Sequence, residues 1–288
     1  MKKYTEKNKE KLVNGPDVFA ETYSVELYMK ENPIIFEKEL LANINKYCSN
    51  VELVAKQDNN TTFAFNDYVL EYKNISAPVS IIISVIYDKP DEEKLRNSLG
   101  QSLNFNNKEA IEECKYRVLV TDVMAIGLEY TKRIELFQKA LYAIVELMPC
   151  EGIHFHLTEQ FISREDYLEN NPSNDDYDLL LGILNVRLFK AQGMKDEYIM
   201  DTLGLSAVGL CDLQCHFKNL DPDQISNLLY SYGYYIFDNQ DAADNLNTVE
   251  GITEDNIWKC RHEVSIVKPE RVVLDINPGK GFSGGNRG

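Results

Sequence analysis

The chain has a single tryptophan, no apolar run long enough to cross a bilayer and few basic side chains. Its longest apolar run, Val79 to Ile86, is broken by Ser80 and Ser84. The N-terminus from Met1 to Lys11 is charged and no apolar stretch follows, so no secretory leader is expected. Lys and Arg number 30 against 46 Asp and Glu, a net charge of −16. A field of that sign repels phosphate backbones and anionic lipid, so neither nucleic acid nor membrane is expected as a partner. It attracts a basic protein or a cation instead. The six cysteines (Cys48, Cys114, Cys150, Cys211, Cys215, Cys260) are scattered through 288 residues, which fits reduced thiols in a cytoplasm better than a disulfide framework.

Familiar chemical fingerprints are missing as well. Gly182, Gly193 and Gly204 form no dinucleotide motif, and Gly279-Lys280-Gly281 lacks the order of a phosphate loop. Ser163, Ser206 and Ser265 sit in no nucleophile elbow. No cofactor is therefore expected.

What is present is ample core material: 44% hydrophobic residues, including 17 Tyr and 12 Phe. Tyr23 to Met29 alternates as a half-buried strand does, Ile34 to Tyr47 carries helical spacing, and Val51 to Val54 reads as a strand. Thr62 to Ala64, Tyr68 to Tyr72 and Val79 to Tyr87 continue the strand pattern, with Asn66-Asp67 as a turn. Asp91 to Leu99 and Asn107 to Glu113 read as helices around the strand Tyr116 to Thr121. Tyr130 to Leu147 is the clearest helix, followed by a strand at Gly152 to Leu157, and the two flanking strands are expected in one sheet. Later come strands at Ile183 to Phe189 and Asp212 to Phe217, a helix capped by Asp221-Pro222, and strands at Tyr234 to Phe237, Trp258 to Val267 and Arg271 to Ile276.

These elements predict an α+β protein of two packed halves, each a mainly antiparallel sheet with helices on one face. The expected divisions are a flexible N-terminus at 1–18, an α+β domain at 19–168, an acidic linker at 169–178, a second α+β domain at 179–278 and a flexible Gly-rich tail at 279–288.

Three constellations are candidates for chemistry or binding. His154-x-His156 places two imidazoles on one strand face with Glu159 nearby, a pattern suited to proton shuttling or metal binding. Cys215, His216, Cys260 and His262 have the ligand chemistry of a zinc site but not the spacing of a zinc knuckle, so core cysteines are the expected outcome and no metal is assigned. Asp175 and Asp176 in the linker, with Asp238, Asp241 and Asp244 in a later acidic loop, offer contacts to a basic partner.

The run Thr202 to Leu210, then Asp212-Leu213-Gln214, Asn247 to Gly251, Trp258-Lys259 and Pro269 to Asp275 resembles an uncharacterised bacterial family, domain of unknown function 4261. The resemblance covers the C-terminal third and implies no catalytic residues. It implies an association with accessory and immunity-like proteins of bacterial competition systems. With the acidic charge, it leads to the expectation of a non-enzymatic cytoplasmic protein-binding module, an immunity-type inhibitor of a basic toxin domain. Two alternatives stand beside it: a hydrolase or metal-dependent enzyme using His154 and His156, and a homo-oligomer built through the aromatic patch Tyr230 to Phe237.

Overall fold

A computed structural model of the chain describes residues 22–72, 75–102, 104–239, 247–253 and 255–285. The segment read as a flexible N-terminus, together with Asp241, Asp244 and residues 286–288, lies outside the described residues. The chain is α+β and divides into two compact units, Glu21–Ile183 and Leu184–Gly288. The division falls after the acidic segment at 169–178, not within it. Both flanks of that segment are tied to helix 130–147 of the N-terminal unit: Tyr142 Oη donates to Leu168 O, and Gln138 Nε2 donates to Leu179 O and Leu181 O.

The N-terminal unit runs β1 (Ser24–Met29), α1 (Glu37–Tyr47), β2 (Val51–Gln57), β3 (Asn60–Tyr72), β4 (Ile75–Ile86), α2 (Glu92–Gln101), α3 (Lys108–Glu112), β5 (Tyr116–Val123), α4 (Tyr130–Leu147), β6 (Gly152–Phe155), β7 (Gln160–Ile162) and α5 (Arg164–Glu169). Its strands form one antiparallel sheet in the order β2-β3-β4-β5-β1-β6-β7. The strands before and after α4 do share the sheet, flanking β1 on either side. The predicted turn at Asn66-Asp67 is instead a register shift inside the continuous strand β3, between Phe65 and Val69. A bulge absorbs the polar pair without ending the ladder.

Alternation along the strands gives this sheet two unlike faces. Val25 and Leu27 of β1 lie beside Val120, Val118, Phe155 and Ile153 on a fully apolar face. Tyr23 continues that face and meets Phe137 of α4 at 5.6 Å. Helix α4 buries Ile134, Leu141, Ile144 and Val145, each contributing about 1.5–3 kcal/mol. The opposite face carries Glu26, Tyr28, Arg117 and His154. Helices α2 and α3 close part of it through an apolar cluster of Tyr28, Leu99, Phe105, Ile111 and Phe161.

The C-terminal unit contains β8 (Asn185–Lys190), β9 (Glu197–Leu203), a 3-10 turn at Leu205–Val208, β10 (Asp212–Lys218), α6 (Pro222–Asp238), β11 (Thr248–Glu250), β12 (Ile257–Val264) and β13 (Val272–Asn277). The sheet order is β11-β12-β13-β10-β9-β8, and β10–β13 is the one parallel pair among the described residues. Asp221 caps α6 by accepting from Asp223 N at 3.1 Å, with Pro222 in the first turn. The strand expected at Tyr234 to Phe237 is the end of this helix. Ile225, Leu229, Gly233, Ile236 and Phe237 keep the helical stripe buried, and the aromatic content at the end does not override that period. The patch is thereby split, with Ile236 and Phe237 buried and Tyr234 and Tyr235 exposed.

The tail read as flexible is anchored over its described part. Phe217 of β10 bridges to Ser283, Lys218 N donates to Phe282 O, and Gly285 N donates to Glu197 Oε2 at 3.0 Å. Gly284 lies against the His216 ring, where a Cβ would come within 2.2 Å. Glycine here lets the backbone approach an imidazole rather than loosening the chain.

At the centre of the second sheet sits a buried ionic cluster. Arg187 Nη2 and Arg271 Nη2 each donate to Asp201 Oδ2 at 2.7 Å, and Arg271 Nε donates to Asp212 Oδ2 at 2.9 Å. The other oxygen of Asp212 accepts from Thr202 Oγ1 and Leu205 N, so this carboxylate also holds the 3-10 turn. Removing one member leaves an uncompensated buried charge, which costs several kcal/mol. Asp201→Ala is expected to lower unfolding stability in urea by about 3–5 kcal/mol. Asp176→Ala, on an exposed turn, should shift it by no more than about 0.5 kcal/mol.

Candidate functional site

Three neighbouring strands of the N-terminal sheet bring the candidate site together. In β1 the polar face reads Ser24, Glu26, Tyr28, between apolar Val25, Leu27 and Met29. Glu26 stands opposite His154 of β6 on one side, and Tyr28 stands opposite Arg117 of β5 on the other. His156 follows two residues after His154 on the same side, its backbone N–H donating to Ser24 O. A helix completes the set: α2 is capped by Asp91, which accepts from Glu93 N and Lys94 N, and it presents Ser98 to His154. The result is an open cleft of about 400 Å³, lined by Glu26, Arg117, His154 and His156 with Lys94 and Glu159.

Within it, Arg117 Nη1 donates to Glu26 Oε1 at 2.5 Å and Arg117 Nη2 to Asp88 O at 2.6 Å. Glu26 Oε2 faces His156 Nε2 at 3.4 Å. The His154 ring stacks on Phe161 at 4.5 Å and 7°, and its Nε2 lies 3.0 Å from Ser98 Oγ. Its Nδ1 is buried with no hydrogen-bond partner. Donor atoms of Glu26, His154 and His156 all fall within 4.8 Å of one another, a carboxylate and two imidazoles of the kind that hold a divalent ion.

Electrostatics fix the protonation states. Burial pushes the Glu26 carboxyl up, but hydrogen bonds and charge from His156 and Arg117 outweigh it and hold the group down at about 2. Burial, reinforced by the charge of His156, depresses His154 to about 3. Tyr28 is pushed far up by burial and by Glu26. Near neutral pH the site therefore contains a carboxylate, a neutral imidazole at His154 and a neutral phenol.

Of the residues singled out from sequence, His154 and His156 do converge, and Glu159 lines the same cleft from the β6–β7 turn at φ 54°. Glu26, Arg117 and Ser98 were missed. Their signal was a charged or polar residue inside an apolar strand or helix; the register that makes them neighbours of His154 is not legible along the chain. Cys215, His216, Cys260 and His262 do not form a site. Cys215 and Cys260 each stand opposite Ile276, on strands lying to either side of β13, and are separated by it. His216 faces away, to Glu197 at 3.4 Å, as alternation requires. All six cysteines are free thiols. Asp175, Asp176 and Asp238 are exposed.

In the C-terminal unit, two of the residues that stood out in sequence, Asp212 and Arg271, belong to the ionic cluster. Gly204 and Gly209 adopt φ of 135° and 82° at the ends of the 3-10 turn that Asp212 holds, and Arg271 links Asp212 to Asp201. Residues 201–277 match the family described as Domain of unknown function (DUF4261). No curated protein and no solved structure matches the chain. The DUF4261 segment begins inside β9 and ends with β13. The cleft of Glu26, His154 and His156 lies outside the DUF4261 segment.

Acid should unfold the protein in two stages traceable to this site. His154 titrates near 6.5 when free but near 3 when folded, so its contribution is complete above pH 6.5 and declines as pH falls toward 3. Glu26 acts lower, from its ordinary 4.5 down to about 2, and is worth about 3 kcal/mol above that window. Chemical denaturation of metal-free protein across pH 7 to 3 should show both. His154→Gln should flatten the limb between pH 6.5 and 4.5 and leave the lower one.

Proposed function

We propose that the cleft over β1, β5 and β6 is the working site of the protein and that its chemistry is hydrolysis of a small polar substrate. The observation that carries this reading is the convergence of Glu26, His154 and His156 on one sheet face, with a buried imidazole nitrogen left unpartnered. Sheets do not bury ionisable groups without return; an apolar residue at each position would pack more cheaply. The first helix turn of α2, with Lys94 at the rim, borders the opening where an anionic substrate group would sit. Chromogenic esters, amides and phosphomonoesters are the substrates to screen. His156→Ala and Glu26→Gln are expected to lower turnover by about 10²- to 10⁴-fold with unchanged far-UV circular dichroism. A wild-type protein inert toward every class would end the hydrolase reading.

A second reading is docking to a basic partner protein, as an immunity-type inhibitor, and a specific observation favours it. The acidic turn is preorganised. Asn170 pairs with the backbone of Asp178 at 2.7 and 2.8 Å, and Asn171 accepts from Ser173 N, leaving Asp175 and Asp176 projecting into solvent. Charge placed in advance accelerates encounter. A tagged protein should recover a basic partner from its host, and Asp175→Lys with Asp176→Lys should slow association by about tenfold at low salt. An unchanged on-rate removes the turn from the interface. Free thiols and the acidic surface fit a cytoplasmic setting for either reading.

A further inference from the structure

We propose that Glu26, His154 and His156 bind one divalent transition-metal ion of the zinc class, with Ser98 and Arg117 orienting its ligands. This rests on and deepens the reading of the cleft as a working site, and it adds a metal-based means of activating water.

The donors have the right chemistry. Two imidazoles and one carboxylate select borderline ions such as Zn²⁺ or Co²⁺ over Mg²⁺ and Ca²⁺, which prefer all-oxygen shells. The spacing also agrees. For bonds of about 2.0–2.1 Å, two ligands of a tetrahedral ion stand about 3.3 Å apart. Glu26 Oε2 and His156 Nε2 stand 3.4 Å apart. His154 closes the set from within 4.8 Å, so the remaining approach is at most about 1.5 Å, within reach of rotation of the partly exposed His156 side chain.

The surroundings of the ligands point the same way. A metal-binding histidine characteristically donates its other ring N–H to a fixed acceptor, which sets the tautomer. His154 Nε2 has Ser98 Oγ at 3.0 Å for that purpose. Its Nδ1 is then a lone pair, buried and without a hydrogen-bond partner, on a residue that lines the cleft. With no ion, that lone pair is an unexplained cost of about 1–3 kcal/mol. With one, it is a ligand. Phe161 stacked on the ring restricts its rotation. On the carboxylate, Arg117 occupies Oε1 and leaves Oε2 to the ion. Arg117 also balances the charge of Glu26, so the ion keeps most of its own positive charge for a water or an anionic group in the fourth position.

The test uses full-length protein stripped with a chelator and titrated with Zn²⁺ or Co²⁺ alone. One ion per chain is expected, with the intense visible absorption of four-coordinate Co²⁺. His154→Ala, His156→Ala and Glu26→Gln should each weaken binding at least 100-fold, and Ser98→Ala by about tenfold. His262→Ala, outside the site, should bind as wild type does. His156 is partly exposed, so His156→Ala is the variant that retains the fold if a buried substitution does not. No ion at one per chain, or equal affinity in His156→Ala, overturns the metal site. Hydrolysis that persists in stripped protein overturns the ion's role in activating water while sparing the cleft as a working site. One ion bound on these residues without any hydrolysis upholds the metal site and ends the hydrolase reading.

Discussion

Arg271 donates to two fully buried carboxylates, and much of the second sheet depends on that contact. Asp201 belongs to β9, Asp212 to β10, and Arg271 stands at the entrance to β13. One guanidinium thereby fastens three adjacent strands, including the parallel pair that no hairpin can align. Arg187 adds β8 to the same cluster through Asp201. Such a cluster is no cheap source of stability, because desolvating four charges costs as much as their attraction returns. What it supplies is uniqueness. A strand shifted by one residue would bury a charge without its partner, so the register is fixed by penalty.

The first sheet obeys the same rule on a smaller scale and then departs from it. Asp122 is satisfied by Arg133 and by Tyr23 N, all buried and closed to solvent. Glu26 is likewise matched by Arg117, but its second oxygen turns to a cleft and to an imidazole. One carboxylate completes a structural pair; the other is held half-committed. That difference separates packing from chemistry in this protein more clearly than the identity of any side chain.

Most of the secondary structure was legible because it rests on local periodicity. Helix α4 was read with its observed bounds, and the strands around it were placed in one sheet from the order strand, long helix, strand. The failures have specific causes. Tyr234 to Phe237 has the composition of a strand, but the stripe continuing from Ile225 keeps it helical. The Gly-rich tail looked loose because composition cannot show that the end of an interior strand will receive it. The site was half legible: His154 and His156 are two residues apart in sequence, whereas Glu26 and Arg117 come from two other strands and are themselves 91 residues apart in the chain. Sequence spacing reports what one strand places on a face; it does not report what the neighbouring strands bring to it.

The family match starts at Asp201, one strand later than the compact unit that contains it. Arg187, the partner Asp201 meets inside the sheet, is left on the far side of that line, and so is most of β9. The stretch that recurs is therefore shorter than the piece that folds. Excised at its own limits, it would expose β10 as a raw edge and carry a buried aspartate without one of its two guanidinium groups. In this chain the residues just upstream supply both, β8 with most of β9 as the missing edge and Arg187 as the missing cation. The matched segment is in effect a socket, and Arg187 is the plug that this chain carries for it.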